Sequence, residues 1–229
     1  MLSFLSVVLF FPLALFGHRS AGEKPHPIVL PKVGTMLVNT YYVTDSSGKV
    51  VIPKDANPDM PDDTLIVIRS GFRTLGKSNC IAILAKSRPD TSIISYAKNG
   101  DLFLRTLGHD SAWTRLPFGL PIGKTIVDSL PADSGTAFFN GFYMPHTRTW
   151  QVLGHDTASV GGKVYDCLKL QIVDIRNWEE QDWLQGTLYW YSPELGYFVR
   201  MNFGWDGPYF LNQHLKVWNP PEEKAKAEK

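Results

Sequence analysis

The stretch GTLYWYSPELGYFVRMNF, residues 186–203, is the densest aromatic run in the chain and has the pattern of a β-hairpin. Side chains alternate between the two faces of a strand, so Leu188 and Trp190 share one face while Tyr189 and Tyr191 share the other. Aromatic and β-branched residues are enriched in strands because they pack well on a pleated surface. The stretch therefore predicts two antiparallel strands with aromatic residues on both faces.

The middle of this stretch supplies the turn. Pro193 has the fixed φ of a turn residue, and Gly196 can adopt the positive φ that the returning chain needs. Ser192 and Glu194 belong to the same turn, and no Gly-x-Ser-x-Gly motif surrounds the serine. We interpret Ser192 and Glu194 as turn-forming residues and predict no catalytic residue in this hairpin.

The two-residue period of a strand recurs along most of the chain and predicts an all-β, antiparallel protein. One segment, NWEEQDWLQ at residues 177–185, has a helical pattern instead, and a loop between strands is its alternative. The segments with strand character are TLIVIRS, NCIAILAKS, TSIISYA, DLFLRTL, TWQVLGH, YDCLKLQIV, GTLYWYS, YFVRMNF and HLKVWN.

Three landmarks occur twice in the same order. LPKVGT at Leu30 resembles LPIGKT at Leu120, LGKSNCIAIL resembles GGKVYDCLKL, and SYAKNGDLFLR resembles WYSPELGYFVR. Repeated landmarks indicate a repeated structural unit. The sequence predicts two related meanders, at residues 30–105 and 120–203, that form a curved half-barrel or a sandwich within a single domain at residues 23–218.

Both ends of the chain are predicted to lie outside this domain. Residues 2–16 are an uninterrupted apolar run, followed by small residues that suit cleavage after residue 22, as in a secretory signal peptide. The run has no basic residue before it, so an uncleaved anchor is the alternative. The charged residues 219–229 are predicted to be a disordered tail. This organisation implies a periplasmic or secreted protein.

The charge balance excludes two classes of partner. The chain carries a net charge of +1, and without Arg19 its basic and acidic residues are equal in number. No field of one sign is available to attract nucleic acid or an anionic membrane. No second apolar stretch of membrane length follows the first. We therefore expect a monomer with no nucleic-acid partner and, after signal cleavage, no transmembrane helix.

The chain has two cysteines, Cys80 and Cys167, both in apolar alternating stretches. In an oxidising compartment such a pair can form a disulfide, whereas a free cysteine packs as a small hydrophobic residue. Their equivalent positions in the two repeats permit a bridge without requiring one, so both alternatives stay open.

Two His-Asp motifs, LGHDSA at residues 107–112 and LGHDTA at residues 153–158, are candidates for metal binding or acid–base chemistry. They occupy non-equivalent places in the two repeats, and neighbouring residues of a strand point to opposite faces. We therefore interpret both motifs as strand ends or tight turns. The sequence predicts no metal site and no cofactor.

Three acidic residues, Glu179, Glu180 and Asp182, could form the carboxylate pair of a glycosidase. Adjacency in sequence does not establish the separation that such a pair needs, and exposed carboxylates on a loop are more common. The sequence therefore predicts a protein that is not an enzyme.

The order Leu-Pro-x-x-Gly-Thr, then Gly-Lys with an apolar strand, then YWYSPELGYFVR resembles a group of uncharacterised exported bacterial β-proteins. Those proteins are similar in fold to the lipoprotein carriers LolA and LolB, whose curved antiparallel half-barrel holds acyl chains on its concave face. The resemblance implies the same fold and an apolar or amphipathic ligand. The matching residues are Trp190, Tyr191, Ser192, Pro193, Glu194, Gly196, Val199 and Arg200.

All seven tryptophans follow residue 110, which directs the ligand hypothesis to the second repeat. Large apolar side chains can line a lipid cavity, and aromatic faces can stack on sugar rings. We expect an exported binding protein for a lipid, a lipoprotein or an envelope component; the alternative is a jelly-roll carbohydrate-binding or carbohydrate-active protein that uses Trp178 and Trp183. The candidate ligand-binding residues are Trp150, Leu188, Trp190 and Phe198.

Overall fold

A computed structural model describes residues 29–51, 62–86, 91–107, 113–130, 138–139, 142–143, 146–178, 181–204 and 209–222. Within these ranges the regular structure is entirely β, which confirms the predicted fold class. The strands are β1 Met36–Thr44, β2 Asp63–Thr74, β3 Lys77–Ala85, β4 Thr91–Tyr96, β5 Leu102–Leu107, β6 Thr114–Leu116, β7 Thr125–Leu130, β8 Phe138–Phe139, β9 Phe142–Tyr143, β10 His146–Val160, β11 Lys163–Trp178, β12 Gln181–Ser192, β13 Tyr197–Gly204 and β14 Phe210–Asn219.

Twelve of these strands form one antiparallel sheet in the order β6-β5-β4-β3-β2-β1-β14-β13-β12-β11-β10-β7. Strands β1 to β6 are a six-stranded meander, and β7 with β10 to β14 is a second one. The first strand of the first meander pairs with the last strand of the second, from Met36–Asn219 to Thr44–Phe210. Strands β8 and β9 pair separately with each other.

The chain connection between β6 and β7 requires this sheet to curl. These strands are the two edges of the sheet, yet only residues 117–124 join them. In a flat sheet twelve strands would place the edges about 50 Å apart. A link of this length reaches about 30 Å at most. The curl brings the edges together: the indole N–H of Trp150 on β10 donates to the carbonyl of Arg115 on β6 at 3.2 Å.

The two meanders begin with the same backbone arrangement. The N–H of Gly34 donates to the carbonyl of Val67 at 2.8 Å, and the N–H of Gly123 donates to that of Val152 at 2.7 Å. A β-bulge follows Val67 and another follows Val152, at corresponding places in the second strand of each meander. A β-bulge increases the local twist of a strand. In both meanders, the Leu-Pro turn is therefore hydrogen-bonded to the second strand at its β-bulge, where that strand twists more strongly.

The aromatic hairpin has the predicted turn. The N–H of Gly196 donates to the carbonyl of Ser192 at 2.9 Å, and Gly196 has a φ of 64°. The Ser192 hydroxyl is fully buried and accepts from the N–H of Leu195 at 3.4 Å. Glu194 is exposed and pairs with Lys163. The contacts of Ser192 and Glu194 are those of turn residues.

The helix predicted at residues 177–185 is wrong, because the described residues of this segment belong to two strands. Residues 177 and 178 end β11, and residues 181–185 begin β12, in continuous antiparallel register from Trp178–Gln181 to Asp174–Gln185. Pairing with a neighbouring strand satisfies the backbone of this segment, whereas an isolated helix of nine residues is too short to be stable. Tertiary pairing therefore overrides the local pattern.

The buried core contains apolar side chains of both meanders. Six of these side chains are at most 2% exposed: Leu37, Val67 and Ile81 of the first meander, and Val152, Leu170 and Leu215 of the second. The hydroxyl of Tyr96 on β4 donates to the carbonyl of Gly196 at 2.6 Å, so a buried hydrogen bond also joins the first meander to the aromatic hairpin.

Gly119 holds the link between β6 and β7 in place. Its N–H donates to Oδ1 of Asp101 at 3.2 Å, and the buried Asp101 also accepts from Arg115 at 2.7 Å. A Cβ at Gly119 would lie 1.9 Å from the carbonyl oxygen of Asn99. No other residue type fits here without movement of the backbone.

We predict that Gly119→Ala destabilises the protein by about 2–3 kcal/mol, because overpacking forces the backbone to shift. Gly186→Ala is the matched control: Gly186 lies in a strand, its φ is not positive, and nothing lies within 4 Å of the added Cβ. The control is expected to change stability by less than about 0.5 kcal/mol. Urea denaturation of both variants measures the difference, and equal stabilities would contradict the role of Gly119.

Four core tyrosines make the fold sensitive to alkaline pH. Burial raises the pKa of Tyr189 to about 12 and raises the pKa values of Tyr96, Tyr191 and Tyr197 well above the ordinary value of 10.0. The phenols of the unfolded chain lose their protons near pH 10, while the folded protein keeps them. The unfolded state is then favoured as the pH rises above 10.

We predict that Tyr191→Phe reduces this alkaline loss of stability. Burial is the cause of the raised pKa of Tyr191, so its phenol contributes about 1.4 kcal/mol of destabilisation for each pH unit above 10. The free energy of unfolding, measured by urea denaturation at pH 7 and pH 11, should fall less in the variant by about that amount. An identical fall in both proteins would show that Tyr191 ionises freely in the fold.

Candidate functional site

A cavity of about 370 Å³ lies on the concave side of the curled sheet. Strands β1 to β5 form one side of its wall, and β13 and β14 close the other. It lies mainly in the first meander. Its apolar lining consists of Leu65, Ile83, Ala85, Ile94, Leu104, Phe198 and Met201.

Polar side chains gather at the part of the wall formed by β1 and its two neighbours. Asn39 and Tyr41 lie two residues apart on β1, on the same face of the strand, and both line the cavity. Asn39 stands opposite Asp63 of β2 and Leu215 of β14, and Tyr41 stands opposite Gln213 of β14. The pairing of β1 with β14 therefore assembles this polar end from both ends of the described chain. Ser92 and Arg105 add polar groups elsewhere on the wall.

Asn39 is the unusual residue of this site. It is 1% exposed, and within the described part of the chain neither Oδ1 nor Nδ2 has a hydrogen-bond partner. Leaving a buried polar group unpaired costs about 1–3 kcal/mol. Nε of Arg105 is also buried without a partner among the described residues. An apolar side chain at position 39 would avoid that cost, so the amide is not there for stability.

Tyr197 lies beside Asn39 at the same end of the cavity. Burial raises the pKa of its phenol above the ordinary range, and Tyr41 raises it further. Asn39 opposes this shift and lowers the pKa of Tyr197, but the geometry between the two side chains falls short of a hydrogen bond. The phenol is therefore neutral at physiological pH and is available as a donor.

Large side chains of the second meander pack on its concave face. Arg148 of β10 and Asp174 of β11 form a buried ion pair, with Nη2 2.7 Å from Oδ2. Tyr189 packs against Phe198 and Phe203, with ring centroids 5.6 and 6.2 Å apart. Large aromatic side chains and the ion pair occupy the described part of this half, whereas the described cavity lies mainly in the first half.

The structure separates the four candidate ligand-binding residues. Phe198 lines the cavity. Trp150 is buried near the sheet opening, where its indole binds the Arg115 carbonyl. Trp190 points to the opposite face of β12 from Tyr189, and Leu188 shares its face. The sequence analysis missed Asn39, although MLVNTYYVT places this polar residue in phase with the buried Leu37 and Val43.

Trp190 belongs to a separate cluster on the convex side. Its indole N–H donates to Oδ2 of Asp156 at 2.8 Å. Lys169 and Arg200 lie against its ring, 4.7 and 4.6 Å from the centroid. His214 of β14 is paired with Arg200 of β13 in the sheet. Burial is the main cause that lowers the pKa of His214 to about 4, and the positive charge of Arg200 lowers it further. These contacts cover Trp190, which is 4% exposed and is not available as a stacking platform.

Both cysteines are buried free thiols, so the possible disulfide is not formed. Cys80 lies on β3 and Cys167 on β11, six strands apart in the sheet. A disulfide requires Cα atoms within about 7 Å. Burial raises the pKa of Cys167 to about 12, so this thiol is a weak nucleophile at neutral pH.

The second His-Asp motif is not a turn, which corrects that interpretation. Residues 153–158 lie inside β10, next to the β-bulge at Gly154. Nδ1 of His155 lies 2.9 Å from Oδ2 of Asp166, whereas Asp156 binds Trp190. A glycine followed by polar residues occurs at β-bulges as well as at turns, because both structures accommodate a glycine with an unusual φ.

Some of the proposed chemistry cannot be placed. Residues 108–112 of the first His-Asp motif, the acidic residues Glu179 and Glu180, and residues 1–28 and 223–229 lie outside the described residues. Only the backbone is described for Trp178, Asp182 and Trp183. Among the side chains that are described, no three His, Cys, Asp or Glu residues converge as metal ligands. In the described ranges no helix has the length and apolar character needed to cross a membrane.

No protein-family model and no curated protein matches the chain. Among solved structures, the hypothetical lipoprotein YmcC of Escherichia coli is 10% identical, with a TM-score of 0.38, over 83% of this chain and 85% of that one. A Bacteroides fragilis protein, named as a candidate exported protein with a YmcC-like fold, is 10% identical, with a TM-score of 0.42, over 86% of this chain and 98% of its own. A candidate lipoprotein from Parabacteroides distasonis is 11% identical, with a TM-score of 0.43, over 86% of this chain and 97% of its own. At these identities the similarity says nothing about a ligand.

Proposed function

We propose that this protein is an exported, non-enzymatic binding protein of the bacterial cell envelope that holds one apolar or amphipathic molecule in its cavity. The observation that carries the proposal is the concave cavity itself, with its aliphatic wall and a polar group at one end. Concave, mostly apolar sites with few polar groups are typical of small-molecule binding. A lipid or the acyl chain of a lipoprotein has this chemistry.

The size of the cavity limits the ligand. Its 370 Å³ lies near the lower end of the range of about 300–1,000 Å³ for ligand pockets. At about 30 Å³ for each water-sized group, it holds roughly a dozen such groups. One acyl chain of medium length fits this volume, whereas the two long chains of a diacyl lipid do not.

The apolar wall provides the driving force. Each buried methylene group contributes about 0.8 kcal/mol, so ten of them contribute about 8 kcal/mol. The lost freedom of the ligand reduces this figure by several kcal/mol. With a loss of about 4 kcal/mol, a single-chain ligand is expected to bind with a Kd of order 1 mM.

Two further observations support binding in the envelope without catalysis. The described lining contains no His, Cys or Lys, and Ser92 is its only aliphatic hydroxyl. A nucleophile without an adjacent base is poorly activated. Residues 2–16 have the apolar pattern of a secretory signal. The proposed partners are a lipid, a lipoprotein or another envelope component. The protein is proposed to bind them as a monomer.

The carbohydrate alternative finds less support. A jelly roll consists of two sheets with Greek-key connections, whereas twelve of the described strands form one sheet of sequential meanders. The lining contains no tryptophan on which a sugar ring could stack. Apolar ligands fit this wall better than sugars.

We predict that Ala85→Phe weakens binding of the apolar fluorophore N-phenyl-1-naphthylamine at least about tenfold, because the added ring occupies space that the ligand needs. Ala85 is 7% exposed and lines the cavity. Val127→Phe is the matched control, since Val127 is 62% exposed on the edge strand β7. Fluorescence titration measures the affinity of each protein.

Native mass spectrometry of the protein purified without detergent provides an independent test. A bound molecule with the mass of a single-chain lipid is the expected result. Absence of any bound molecule, together with no fluorophore binding by the unaltered protein, would contradict the proposed function. Equal affinities of Ala85→Phe and Val127→Phe would place any binding outside the cavity.

A further inference from the structure

The position of Asn39 indicates what kind of ligand the cavity takes. On β1 it occupies the phase of the buried residues Leu37 and Val43, where an apolar side chain is expected. It is 1% exposed, and both polar atoms of its carboxamide lack partners among the described residues. Its side chain lines the cavity. A buried carboxamide in this state has one donor group and one acceptor group that remain to be paired.

The neighbours of Asn39 limit the charge of that ligand. Asp63 stands directly opposite Asn39 on β2 and also lines the cavity. Arg105, the only basic residue of the described lining, lies on β5, four strands away from β1 in the sheet. The described wall therefore carries one carboxylate and one guanidinium group, and the carboxylate is paired with Asn39 in the sheet register.

We infer that Asn39 binds the head group of a single-chain amphipathic molecule, and that this head group is uncharged and both donates and accepts hydrogen bonds. A primary carboxamide or an alcohol has this chemistry. The inference rests on the proposed function, because it assigns the ligand of the same cavity. It excludes a free fatty acid in its ionised form as the preferred ligand.

Hydrogen-bond complementarity gives the first reason. A carboxylate only accepts hydrogen bonds, so it would leave Oδ1 of Asn39 unpaired. An ammonium group only donates, so it would leave Nδ2 unpaired. A carboxamide or a hydroxyl pairs with both atoms of Asn39. The Tyr197 hydroxyl, at the same end of the cavity, is a further donor.

Electrostatics gives the second reason. A carboxylate bound at Asn39 would lie close to Asp63, and like charges at short range repel strongly in a poorly solvated site. A buried charge also loses its hydration unless a partner of opposite charge replaces it.

The experiment compares four ligands with the same ten-carbon chain: decanamide, decanol, decanoate and decylammonium. Each competes with N-phenyl-1-naphthylamine for the full-length protein at pH 8, and fluorescence measures the displacement. Decanamide and decanol are expected to displace the fluorophore at concentrations at least about tenfold lower than decanoate and decylammonium, because only they pair with both atoms of Asn39.

The variant Asn39→Leu has nearly the same shape without the polar atoms. It is expected to weaken decanamide binding about tenfold while the affinity for the fluorophore, which does not need Asn39, stays within about twofold. Its Tm should rise, because the variant removes an unpaired buried amide. Met201→Leu is the matched control on the same wall, and it should keep the preference of the unaltered protein for decanamide.

The outcomes separate the two proposals. If neither the fluorophore nor any ten-carbon ligand binds, the proposed function fails. If all four ligands bind with similar affinity, or decanoate binds best, the cavity is a ligand site but the inference about the head group is wrong. The comparison within the unaltered protein keeps the inference testable if Asn39→Leu does not fold.

Discussion

The short connection between β6 and β7 is the constraint on which the rest of the structure depends. These strands are the first and last of the sheet, and residues 117–124 must span the distance between them. The sheet therefore curls until the edges approach, and this curvature creates a concave interior. Asp101 fixes the link by accepting hydrogen bonds from Arg115 and Gly119. The indole of Trp150 bonds directly across the opening. A longer or looser link would remove the requirement for curvature.

The distribution of large side chains explains why space remains in one half of this interior. All tryptophans follow residue 110. In the second meander, Tyr189, Phe203 and the ion pair of Arg148 with Asp174 fill the concave face. The corresponding face of the first meander has smaller residues, including Ala85 and Ser92. The curved backbone therefore encloses a core built from both meanders, together with a cavity that lies mainly in the first.

Asn39 links the fold to the proposed function. Position 39 lies on β1, the strand at which the two meanders join, so its surroundings come from β2 and β14 together. A leucine there would remove two unpaired polar atoms from the interior and stabilise the fold. The proposed binding role would account for a polar residue at such a position. The cavity and the unpaired amide thus point to the same chemistry, a mainly apolar molecule with one polar end.

The sequence by itself determined the strand character of the chain and the turn at residues 193–196, because alternation, proline and glycine act locally. It failed at residues 177–185, where pairing between β11 and β12 overrides a short helical pattern. Aromatic density pointed to four residues, and of these only Phe198 lines the described cavity, while Trp150, Leu188 and Trp190 do not. The cavity depends on the β1–β14 pairing and on the curl that the link between β6 and β7 imposes. Both join residues far apart in the chain, so only the tertiary structure decided where the space lies and that Asn39 faces it.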